Sequence, residues 1–155
     1  MPVRVDSSGR RFVRVEVQVP GLIDGVWSAI ATAQGISTWF AQTSFELGPD
    51  GIPRRITFNF GPGSIDAVTV TAWNPPRSFA VQSSDFIPGG PSVTTKWTIL
   101  ESCNGTCTVR VKHRLTADSD AWNAHLERAE SGWPAFFQNL KSLLAPNERI
   151  PGAPG

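Results

Sequence analysis

The sequence predicts an α+β domain: a curved antiparallel sheet of seven strands with its helices on one face. Three observations predict it. Trp122, Leu126, Ala129, Trp133, Phe136/Phe137, Leu140 and Leu143/Leu144 recur at steps of three and four, the apolar stripe of one long closing helix. Six strand-like segments precede that stripe, separated by breaks of Gly, Pro and Asn. One further strand and two short helical runs open the chain. A long helix that follows so much strand needs a sheet to lie on.

The elements follow in order. Residues 1–10 are a polar lead. Residues 12–19, rich in Val and loosely alternating, form the first strand, which Pro20-Gly21 stops. Val26, Trp27, Ile30 and Ala31 have helical spacing, with Asp24 as N-cap and Gly35 as the end of that helix. Residues 36–40 read as a second short helix carrying Trp39 and Phe40. Strands are expected at 43–47, 56–60, 65–73, 78–83, 93–101 and 106–115. Short spacing and consecutive hairpins make them an antiparallel meander. Asp118-Ser119-Asp120 supplies N-cap chemistry for the last helix. Pro134 falls inside its stripe, so a kink or break is expected near Ser131-Gly132. Residues 11–145 thus form one domain, and 146–155 a flexible tail.

Composition narrows the function classes. The chain has 155 residues and a formal charge of +1, with its basic residues scattered along the sequence. No electrostatic footprint for nucleic acid or an anionic membrane is visible. The opening residues lack a secretory h-region, and no apolar run approaches the roughly 18–20 residues that span a bilayer. A cytoplasmic protein is expected. Six Trp, nine Phe and no Tyr favour apolar bulk with an occasional N–H donor.

Cys103 and Cys107 flank Asn104-Gly105-Thr106, a hairpin signal. A two-residue loop would set Cys103 opposite Thr106 and Ile99 opposite Arg110, mixing faces. A three-residue loop would set Cys103 opposite Cys107 and Ile99 opposite Val111, matching them. A cross-strand disulfide is geometrically conceivable; two reduced thiols near a hairpin tip are the alternative.

Three stretches carry a resemblance. Val19-Pro20 with Val26-Trp27-Ser28-Ala29-Ile30 and Ile36-Ser37-Thr38-Trp39-Phe40 form the first. Thr95-Lys96-Trp97-Thr98-Ile99-Leu100-Glu101 with Gly105-Thr106-Cys107-Thr108-Val109 form the second. The third is Gly132-Trp133 leading to Leu140-Lys141-Ser142-Leu143-Leu144. In this order and spacing, over about residues 12–144, the chain resembles the START/Bet v (SRPBCC) superfamily. It is most similar to the bacterial branch related to the C-terminal domain of the activator of the heat-shock-protein-90 ATPase. The resemblance implies a helix-grip fold with a cavity between sheet and closing helix, able to hold lipids, polyketides or other apolar molecules. It also implies carriers, enzymes and chaperone-binding members. The Pro/Gly-rich residues 87–91 lie near what should be the cavity mouth.

Trp39, Phe40, Phe58, Phe60, Trp97, Trp133, Phe136 and Phe137 are the candidate ligand-binding aromatics. They either wall a pocket or fill the interior. His113 has inward parity with Val109 and Val111. It is the candidate acid or base, or a polar group orienting a ligand; a hydrogen-bonded core residue is the alternative. His125 flanks the stripe. Asp66 is expected to face water, by alternation with Ile65 and Ala67, and Arg54-Arg55 to be solvated. No phosphate loop, nucleophile triad or metal spacing is present, so no cofactor or metal is expected. Three functions compete: a binding protein for a small apolar or aromatic molecule, a cyclase- or hydrolase-like enzyme using His113, and an interaction module with a chaperone partner or a second copy.

Overall fold

The computed structural model describes residues 4–5, 11–83, 93–102, 104–115 and 120–145. Side chains are described for these residues except 4–5, 120–126 and 128–130. The expected capping residues Asp118 and Ser119, the 87–91 loop and Cys103 lie outside this set. So do the side chains of Trp122, His125, Leu126 and Ala129.

The elements are β1 (Arg4–Val5), β2 (Arg11–Pro20), α1 (Ile23–Ala31), α2 (Ala33–Ser37), β3 (Gln42–Leu47), β4 (Pro53–Asn59), β5 (Ile65–Asn74), β6 (Ser78–Ser83), β7 (Val93–Glu101), β8 (Thr106–Leu115) and α3 (Asp120–Leu144). All seven expected strands form. The two-residue β1 adds an edge by pairing with β2. The sheet order is β1-β2-β8-β7-β6-β5-β4-β3, antiparallel throughout. β3 to β8 run in sequence order, as a meander must, and β2 returns to close on β8.

Curvature follows from the packing. Val19 on β2 and Ile56 and Phe58 on β4 belong to one buried cluster with Trp133, Phe137 and Leu140 of α3. A flat sheet would hold β2 and β4 five strands apart. Register shifts at Glu46/Leu47 and between Val70 and Ala72 supply bulges that bend the strands.

The short helices differ from expectation at their ends. Leu22, not Asp24, is the N-cap of α1, and it offers no side-chain cap. Asp24 instead sits in the first turn, where its carboxylate complements the helix dipole. Gly35 does not end α1. Thr32 does, and the same residue starts α2: its hydroxyl donates to Ser28 O at 2.6 Å and accepts from Gly35 N–H at 2.9 Å. Gly35 lies inside α2, where a Cβ would stand 2.0 Å from Ser28 O, so only glycine fits without a shift. Trp39 and Phe40 fall in the turn just after α2, held by their N–H groups on Ile36 O.

α3 runs unbroken for 25 residues through Pro134, with no interruption at Ser131-Gly132. Pro134 lies on the exposed side, so its ring meets no packed neighbour element there. Trp133, Phe137 and Leu140 form the buried side.

The β7–β8 hairpin takes a register two residues away from the one expected. Glu101, not Cys103, stands opposite Cys107, and Ile99 opposite Val109 rather than Val111. A two-residue slip keeps every side chain on its face, so parity alone does not distinguish the two. Cys107 is buried, its Sγ 3.5 Å from Gly21 O, and burial together with the Glu101 carboxylate pushes its thiol pKa up.

Candidate functional site

Sequence neighbours on β5 misassign one residue that the strand pairing places clearly. Phe58 is the cross-strand partner of Asp66, and Ile56 of Val68. Ile56, Phe58 and Val68 are buried, so Asp66 shares the inward face and does not point to water. Ile65, the neighbour taken as inward, is 64% exposed. Parity counted from Val68 and Val70 would have given the right face. Burial raises the Asp66 carboxyl pKa above the ordinary carboxylate range. Asp66 has no hydrogen-bond or ion-pair partner among the described residues.

The face that carries Asp66 bounds a cavity of about 560 Å³ between the sheet and α3. Phe40, from the turn after α2, and Phe58 and Phe60, from β4 and its end, form one wall. Trp133, Phe136 and Gly132 of α3 roof it, and Val68, Val81, Val93 and Trp97 floor it. Six of the eight candidate aromatics therefore line the cavity. Trp39 and Phe137 do not. Trp39 is buried in the core, with its indole N–H donating to Ala29 O at 2.8 Å, and Phe137 packs behind Trp133.

The lining rings pack on one another. Phe40 stacks parallel to Trp133 at 5.3 Å between centroids and meets Phe58, Phe60 and Phe136 edge-on at 4.6–5.4 Å. Trp97 meets Trp133 edge-on at 5.3 Å. These offset and T-shaped contacts hold the walls apart as a framework.

His113 reaches the cavity from β8 but is not a free acid or base. The Trp133 indole N–H donates to its Nε2 at 2.6 Å. Indole is a donor only, so Nε2 accepts and the proton of a neutral ring sits on Nδ1. Nδ1 lies 2.9 Å from the hydroxyl of Thr95, its cross-strand partner, which accepts that proton. The Thr95 O–H is thereby turned to donate elsewhere, and Thr95 lines the cavity. Ser83 and Ser64 are further polar groups on the wall, Ser83 buried at 8% exposure. The sequence reading missed Asp66, Ser83 and Thr95.

Other candidates settle outside the site. Glu101 pairs with Arg77 at the surface, and Arg54 and Arg55 are exposed. The basic residues are not as scattered as they look along the chain: Arg14 pairs with Lys112, and Lys112 with Lys96, in one row across β2, β8 and β7. Among the described residues no group of three His, Cys, Asp or Glu is placed to hold a metal, and no helix is long and apolar enough to cross a membrane.

Known structures share this fold. DynU16, from the dynemicin biosynthetic locus, is 24% identical with a TM-score of 0.69 over 86% of this chain and 46% of its own. The chain thus spans a little under half of DynU16. MLL2253 from Mesorhizobium loti is 21% identical with a TM-score of 0.71, covering 86% of this chain and 96% of that one. A START superfamily protein from Mycobacterium smegmatis is 11% identical with a TM-score of 0.66, covering 88% and 97%. At these identities the likeness is one of fold, and that fold is START-like. No curated protein matches the sequence. Residues 22–145 match the family described as Activator of Hsp90 ATPase homolog 1-like protein, and the chain belongs to that family.

Proposed function

We propose that the protein binds a small apolar or aromatic molecule in the cavity between its sheet and α3. The observation that carries this reading is the cavity itself: about 560 Å³, walled by six Phe and Trp rings and three Val side chains, with Asp66, Ser83, Thr95, His113 and Ser64 as its polar groups among the described residues. Sites of that size and lining derive affinity from burial and orientation from isolated polar atoms. Binding is favoured over catalysis because His113, the candidate acid or base, has both ring nitrogens engaged with protein groups. The chaperone-partner reading rests on the family's description alone.

The test is a fluorescence titration with N-phenyl-1-naphthylamine, repeated with Val81→Phe, which fills the floor of the cavity. Saturable binding that Val81→Phe weakens at least tenfold, in a variant that still melts cooperatively, is the expected result. Absence of saturable binding to the wild type would overturn the proposal.

A further inference from the structure

Among the described residues the cavity wall carries one carboxyl, that of Asp66, and no Lys or Arg. His113, also on the wall, has Nε2 accepting from the Trp133 indole and Nδ1 beside the Thr95 hydroxyl. Asp66 stands on the wall without a hydrogen-bond or ion-pair partner for its carboxyl among the described residues. Asp66 is half-buried, and a carboxyl held partly out of water without a counter-charge is costly. Here the space in front of it is the cavity.

Its surroundings define what would pair with it. Phe58 is its direct cross-strand partner, which sets the two Cβ atoms about 4.5–5.5 Å apart. The Phe40 ring packs edge-on against Phe58 and Phe60 at 5.4 and 5.3 Å. Extending the β5–β6 pairing of Thr69 with Gln82 by one residue sets Ser83 beside Val68, diagonal to Asp66. A carboxylate, a hydroxyl and aromatic faces together suit an ammonium group, through a charge-assisted hydrogen bond and cation–π attraction. A ligand carboxylate or phosphate would meet no Lys or Arg among the described lining residues, and would meet Asp66 as a like charge.

We infer that the ligand of this cavity is an aromatic molecule bearing a basic amine, and that Asp66 is the ion partner that selects it over neutral and acidic analogues. This inference rests on the cavity being a binding site. Three probes with one ring system separate the two claims: 1-pyrenemethylamine, 1-pyrenemethanol and 1-pyrenecarboxylic acid, titrated by fluorescence at neutral pH. The amine is expected to bind at least about tenfold tighter than the alcohol, and the acid weakest of the three. Asp66→Asn should bring the amine to within about twofold of the alcohol, since the amide keeps the shape and loses the charge. A cooperative urea transition reports that the variant is folded, and Asp66→Ala serves as a second variant with the same expectation. Equal binding of amine and alcohol to the wild type, or an amine preference that survives in both variants, would overturn the inference while the binding site stands. Failure of all three probes to bind would overturn the binding site and the inference with it.

Discussion

The Trp133 indole N–H donates to Nε2 of His113 at 2.6 Å, and this one bond ties α3 to β8 across the interior. It also settles the state of the imidazole, since a donor-only partner at Nε2 leaves the proton on Nδ1, facing Thr95. A histidine so committed is a strut. Trp133→Phe keeps an aromatic ring against Phe40 and deletes the N–H, leaving a partly buried acceptor without its donor. The expected cost is about 1–3 kcal/mol, measured by urea unfolding. An unfolding free energy equal to that of the wild type would show that water replaces the indole.

Much of this was legible in the chain, and the failures share a cause. Strand existence came from local signals: alternation within a segment and Gly, Pro or Asn between segments, which is why all seven strands were found. Where a side chain faces was harder, because it depends on partners remote in sequence. Asp66 was judged against Ile65 and Ala67, whereas its face is set by pairing with Phe58. The β7–β8 register went astray because faces repeat every two residues, so parity does not exclude a slip of two. Gly35 looked like a helix end; the crowding that requires glycine comes from Ser28 O, seven residues earlier. For the cavity, the sequence showed which residue types were available but not which rings touch. Trp39 and Phe40 are adjacent, yet only Phe40 lines it.

Asp66 should leave a signature in stability against pH. Burial raises its carboxyl pKa in the folded state above the unfolded value. Between those two values the native state holds the extra proton, so stability falls as pH rises. The favourable contribution is complete below the unfolded pKa and lost above the folded one. Asp66→Asn removes this dependence. The variant is expected to match the wild type below the ordinary carboxylate range and to exceed it at neutral pH. Urea unfolding of both proteins between pH 3 and pH 8 checks this. A variant less stable than wild type at neutral pH would show that the carboxylate has a stabilising partner.

Two glycines in the opening helices should respond to alanine with opposite signs. At Gly35 a Cβ would lie 2.0 Å from Ser28 O and 2.9 Å from Ala29 Cα, both rigid neighbours. Gly35→Ala is expected to cost about 1–3 kcal/mol as α2 is pushed off α1. At Gly25, inside α1 and exposed, nothing lies within 4 Å of an added Cβ. Gly25→Ala is expected to gain up to about 1 kcal/mol through helix propensity. Thermal melts of the two variants side by side test the contrast. A stabilised Gly35→Ala would mean that α1 and α2 move apart more freely than their shared Thr32 cap implies.

The row Arg14–Lys112–Lys96 sets like charges directly opposite one another on three adjacent strands. Such pairs are destabilising in a sheet, and Lys112 finds partial relief over the Phe12 ring, 4.4 Å from its centroid. Next to this row, Glu16 pairs with Arg110 and shows what a carboxylate in the same face does. Lys96 is exposed at the end of the row, so its replacement disturbs no core contact. Lys96→Glu sets a carboxylate opposite Lys112 and turns a repulsive pair into an attractive one. The expected gain is about 0.2–1 kcal/mol at low ionic strength, shrinking as salt screens the exposed charges. Urea unfolding of both proteins at low and at high salt separates this from a propensity effect, which salt would leave unchanged. A gain that persists undiminished at high salt would refute the electrostatic account.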